Sequence, residues 1–328
     1  MLVPSLELGA GGARRRTPPR KRARFGLSWV YAALAAAAIA ALVNVVDSHI
    51  ISKRVPSLWS FLIPAGILHT IFGLILIGVF PLPSDVAAFP WFIAVLSAIL
   101  RTGAVVLMLG TMRTEEVSRI IPVVHTYPVF VALIAVPALD ETLSLLQWLA
   151  VFMVVGGAVL ISIRRGGEGK KTRLRRSFTI LLASSVLFGV ANVASKYALG
   201  YISFWNMYSI TGICLGLGFC LISVRPAVLG ELRGLPGKAK IATLIFSNES
   251  LAFFGVVLSF MAMERGPISL ASTVMAIRPL FVFVYALVLS VVLPAVLRER
   301  FTSRVVVLKI VSIGLIVGGV AIINLVGQ

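Results

Sequence analysis

The chain has 328 residues, 59% apolar and 13% charged, with a mean hydropathy of +1.02. Soluble domains carry about 45–50% apolar and about 25% charged residues, so a water-soluble globule is excluded. Thirty Lys+Arg against 12 Asp+Glu give a net charge of +18; in so apolar a chain this surplus reads as loop charge that meets a lipid bilayer and sets topology, and no nucleic-acid partner is expected.

In chain order, residues 1–26 form a basic tail in which Arg14, Arg15, Arg16, Arg20, Lys21, Arg22 and Arg24 are broken by Pro18 and Pro19, a composition expected to stay disordered beside the membrane. Ten apolar runs follow, at 27–50, 57–80, 89–111, 115–137, 143–163, 177–198, 202–224, 240–262, 267–294 and 303–325. They are continuous over about 20 residues, as membrane helices require, whereas barrel strands alternate over about 10. Most links are short, so neighbouring helices run antiparallel. The long links are 164–176 (RRGGEGKKTRLRR) and 225–240.

An internal repeat organises these runs. Setting Met112 on Met263 without gaps brings Val117 onto Ile268, Ser118 onto Ser269 and Pro128 onto Pro279. VNVVDS (43–48) resembles ANVASK (191–196), pairing Asn44 with Asn192. The chain therefore reads as an all-α integral membrane protein with ten transmembrane helices in two five-helix repeats, 27–163 and 177–328, joined by the basic linker 164–176. Five spans is an odd number, so the repeats are inverted relative to one another.

The repeat also resembles a known family. A proline in the fourth span of each half, an acidic residue opening the fifth and a Gly-rich stretch after it (Pro128, Glu141, Gly156 and Gly157; Pro279, Glu299, Gly318 and Gly319) are similar to the EamA-type transporters of the drug/metabolite transporter superfamily. The second copy departs from the pattern, with about seven extra residues between Pro279 and Glu299. The resemblance implies a secondary carrier in the cytoplasmic membrane, with a pathway between the halves, both termini cytoplasmic, and Pro128 and Pro279 as helix kinks. Loop charge opposes that orientation: 18 Lys/Arg follow the first, third, fifth, seventh and ninth spans, against 8 on the other side.

Charges inside spans are costly and mark function. Arg101 and Glu249 fall one turn apart on pseudo-equivalent spans and are expected to approach across the interface between halves, as a substrate-binding pair for a zwitterion or as a static ion pair. Arg278, before Pro279, suits two-point binding of a carboxylate or phosphate; its counterpart is Tyr127. Asn44, Asn192, Asn248 and Tyr127 supply further substrate contacts. Asp47, Glu249, Lys196 and His125 are the coupling or gating candidates, a carboxylate taking up a proton. Glu141 is expected to favour the N-terminus of the fifth helix, and Trp205, Asn206 and Tyr208 to anchor the seventh at the interface. Gly212-xxx-Gly216 and Gly314-xxx-Gly318 permit close helix contact within a monomer or a homodimer.

Cys214, Cys220, His49, His69 and His125 follow no metal-ligand spacing, and no phosphate loop is present. No metal, no cofactor and no enzyme activity is expected. The partners are a small-molecule substrate and the bilayer. The leading expectation is transport of an amino acid or organic anion by alternating access, with proton coupling; the alternatives are a non-transporting scaffold or sensor, and an intramembrane lipid-modifying enzyme, which lacks a DDxxD-like cluster.

Overall fold

The computed structural model describes residues 28–115, 117–162, 171–292 and 303–326. Among them are helices and their links, with no strand: α1 (Ser28–Lys53), α2 (Leu58–Val79), α3 (Ala88–Thr111), α4 (Val117–Val124), α5 (Tyr127–Leu139), α6 (Leu145–Ser162), α7 (Lys171–Ala198), α8 (Phe204–Ser223), α9 (Pro226–Gly234), α10 (Lys238–Arg265), α11 (Ile268–Met275), α12 (Arg278–Val292) and α13 (Ser303–Val326). Eight segments are long and apolar enough to cross a membrane, α4 with α5 and α11 with α12 each counting as one, and two shorter apolar stretches lie in α6 and α13. The tail 1–26 and Glu299 lie outside the described residues.

The fourth and ninth runs differ from the sequence expectation. Each is broken rather than kinked, and the break falls before the proline, at His125–Thr126 and Ala276–Ile277. A proline has no N–H and its ring collides with the carbonyl four residues back, so Pro128 and Pro279 disturb the preceding turn and occupy the second position of α5 and α12. The chain crosses each gap on tight turns, Thr126 N–H to Val123 O at 3.3 Å and Ile277 N–H to Val274 O at 3.2 Å. Two boundaries also move. α7 starts at Lys171, inside the expected linker, and the link 225–240 contains α9, whose Glu231 accepts hydrogen bonds from Ser57 and Ser60 at the start of α2.

Lipid is as apolar as leucine, so membrane helices associate through close packing rather than apolar burial. The main pairings are α2 with α8, α3 with α7, α6 with α13 and α1 with α10. Along α2 and α8, backbone meets backbone: a Cβ on Gly216 would run into the Gly66 carbonyl, and one on Gly212 would sit 2.9 Å from that of His69. The Gly212–Gly216 spacing thus serves packing within the chain. Gly314 faces open space among the described residues; α13 meets α6 through Gly319 and Gly157, where a Cβ would come 2.9 Å from Ala150 O and 2.8 Å from Ser312 O.

The two larger apolar clusters among the described residues close the bundle. One gathers Trp29, Phe260, Met263, Ile268 and Met275; the other gathers Ile50, Phe61, Leu62, Met108 and Ile120.

Candidate functional site

Between these clusters lies a cavity of about 170 Å³, walled by residues of both: Phe260, Met263 and Met275 at one end, Phe61, Met108 and Leu109 at the other. A water needs roughly 10–15 Å³ measured this way, so the space suits a small metabolite. Ionisable side chains of both signs line it from separate helices, among them Asp47 (α1), His69 (α2), Arg101 (α3), Glu249 (α10) and Arg278 (α12). Asn44, Asn192 and Tyr208 add polar reach, with His125 and Tyr127 flanking the α4–α5 break.

The charges are divided. Asn248 Nδ2 donates to Asp47 Oδ1 at 2.7 Å, and Glu249 Oε2 lies 3.0 Å from His69 Nε2. Arg101 donates to Asn192 Oδ1 at 2.7 Å and Ser195 Oγ at 3.4 Å, with its guanidinium carbon 5.1 Å over the Phe260 ring. The expected Arg101–Glu249 pair is not formed. α3 packs along α7, so its guanidinium meets the α7 asparagine, while Glu249 turns to α2. Asn44 Nδ2, Arg101 Nε, Arg278 Nε and the Tyr208 hydroxyl are buried without a hydrogen-bond partner among the described residues. A carboxylate could satisfy such donors two at a time. His125 Nδ1 lies 2.7 Å from the Ile121 carbonyl, which leaves Nε2 for other partners, and the Tyr127 hydroxyl lies 3.5 Å from Ser272 O.

A crystal structure 16% identical superposes on 91% of this chain and 96% of its own length with a TM-score of 0.62, which shows the fold. No curated protein matches the chain in sequence. Residues 27–163 match the EamA-like transporter family. This family is part of the drug/metabolite transporter superfamily, as the motif around Pro128 and Glu141 implied. Residues 27–163 thus carry a likeness to membrane transporters of the drug/metabolite type, and the fold likeness extends beyond the matched residues into the rest of the chain.

The geometry places several of the residues singled out in the sequence away from the surroundings expected for them. Lys196 is absent from the cavity wall; its Nζ donates to the carbonyls of Met263, Glu264 and Gly266 at 2.6, 3.3 and 2.7 Å. Glu141 leaves its own helix and accepts from Ile268 N–H at 2.6 Å, Ser269 N–H at 3.1 Å and Ser269 Oγ at 2.7 Å, because Ser144 and Gln147 already cap α6 reciprocally. Tyr208 lies in the cavity wall rather than at the interface; Trp205 stacks on Phe80 at 4.7 Å, and Asn206 donates to Phe80 O at 2.9 Å. Asn248 acts one step back from the cavity, through Asp47. Sequence reading passed over His69 as a site residue. The only signal for it was a lone polar His-Thr pair inside ILHTIFG.

Proposed function

We propose that the chain is a secondary transporter of the cytoplasmic membrane that carries a small polar metabolite bearing a carboxylate and an amine, by rocking two inverted five-helix units, 27–163 and 177–328, about the central cavity. The observation that carries this reading is the division of charge: Arg101 and Arg278 against Asp47 and Glu249 in one cavity, with no arginine–carboxylate ion pair across it among the described residues. A zwitterion would bridge the two ends, its carboxylate on the guanidiniums and its ammonium on the carboxylates. The packing pattern supports the inverted units. The first span of one half lies on the third of the other (α1 on α10, α3 on α7), the second on the second (α2 on α8) and the fifth on the fifth (α6 on α13), as a two-fold axis in the membrane plane requires. Proton coupling falls to Asp47 and Glu249, with His69 beside Glu249.

The test is a thermal-shift screen of purified protein against amino acids, organic acids and sugar phosphates, since binding to the folded state raises Tm. The selected compound is then assayed for flux into proteoliposomes with and without an imposed pH gradient. Amino acids are expected to raise Tm, and Arg101→Ala and Glu249→Ala each to abolish both the shift and the flux. A shift by organic acids that Glu249→Ala leaves intact overturns the zwitterion, flux indifferent to the gradient overturns coupling, and unchanged flux in both variants overturns the site.

A further inference from the structure

The turn between α10 and α11 is gripped by more elements than its length requires. Lys196 of α7 takes the last carbonyls of α10, and Glu141 of the α5–α6 link takes the first N–H groups of α11. Each charge sits where the helix dipole favours it, a cation at a C-terminus and an anion at an N-terminus. The N–H of Phe204 donates to Glu264 Oε1 at 3.2 Å. Trp29 of α1 lies so close behind Gly266 that a Cβ there would come 2.7 Å from its ring. Glu141 and Trp29 belong to the first half of the chain, the turn to the second. Met263, whose carbonyl Lys196 holds, also walls one end of the cavity.

Among the described residues, the other end of the cavity is held differently. The α3–α4 link is met there by Arg113 donating to Pro56 O at 2.6 Å and by Ser177 donating to Glu115 at 3.4 Å. Ser48, which the sequence repeat sets opposite Lys196, is too short to reach helix-terminal carbonyls as a lysine does.

We infer that Glu141 and Lys196 form a clasp on the α10–α11 turn, which holds that end of the cavity shut and must open once in each transport cycle. The clasp rests on the transporter reading above but binds no substrate; its residues position the turn.

The test needs no substrate. In a Cys214→Ala/Cys220→Ala background, a reporter thiol is placed at one end of the cavity by Met263→Cys and, in a separate protein, at the other by Leu109→Cys. Each is titrated in detergent with a water-soluble ammonium methanethiosulfonate. Adding Lys196→Met or Glu141→Gln is expected to raise the Met263→Cys rate about ten-fold or more, as a population shift of that size requires, and to lower the Leu109→Cys rate, since one end closes as the other opens. Lys196→Arg, which still donates to carbonyls, is expected to keep both rates near those of the parent. Opposite changes support the clasp; unchanged rates, or rates rising together as in a loosened protein, overturn it. If the ligand screen fails while the thiols change oppositely, the zwitterion reading falls and the clasp stands; if the thiols fail while flux is found, the clasp alone falls.

Discussion

His69 and Glu249 face each other at 3.0 Å with 12% and 6% of their side chains exposed. At that burial, removing one partner strands the other, which costs more than the pair contributes. His69→Leu is therefore expected to lower stability by roughly 1–3 kcal/mol, with much of the loss recovered in His69→Leu/Glu249→Leu. Thermal unfolding of the four purified proteins measures this, and strictly additive losses would mean that the two side chains are not coupled. This pair also marks where sequence reading stops at the residue scale. Asp47, Arg101, Glu249 and Arg278 were legible because each is a charge in an apolar run, and all four line the cavity. His69 was not, because a single histidine in ILHTIFG looks like packing until the fold brings a carboxylate 180 positions away against it. The roles of Lys196 and Glu141 were hidden for a different reason: their partners are backbone groups at helix ends, which no side-chain pattern announces.

At the scale of elements, the α4–α5 break sets His125 and Tyr127 against the cavity. Because Pro128 forces the break by denying an N–H to the preceding turn, Pro128→Ala is expected to let the helix run on through 125–126. Thermal stability should then hold or rise, while the ligand-induced shift in Tm of the screen shrinks as His125 and Tyr127 rotate away from the cavity. An undiminished shift would free the break of any part in binding. The sequence placed this helix correctly and its interruption two residues late, since a proline's effect lands on the turn before it. The helix α9 escaped notice because PAVLGELRG is short and weakly apolar, and its anchor is Glu231 on the hydroxyls of Ser57 and Ser60.

For the whole molecule, orientation is the open opposition between two physical signals. Exposed Lys53, Arg54, Arg113, Arg225, Arg233, Lys238 and Lys240 all follow odd-numbered spans, on the side opposite the N-terminus of α1, while the basic tail and the EamA-like resemblance favour cytoplasmic termini. With the termini cytoplasmic, an alkaline phosphatase fused after Gln328 is expected to be inactive and a fluorescent protein there bright; an active phosphatase reverses the assignment.

The glycine seam between α2 and α8 bears on how such a molecule can move. Interlocked side chains behave as gear teeth, and turning one helix against another across them means that many rotamers must change together. Gly66, Gly73, Gly212 and Gly216 bring backbone close against backbone, a smoother surface than one of interlocked side chains. Helices from both parts of the chain meet along it, and on the proposed rocking mechanism this seam is where they would tilt with least repacking; bulk added at Gly216 would force α2 and α8 apart.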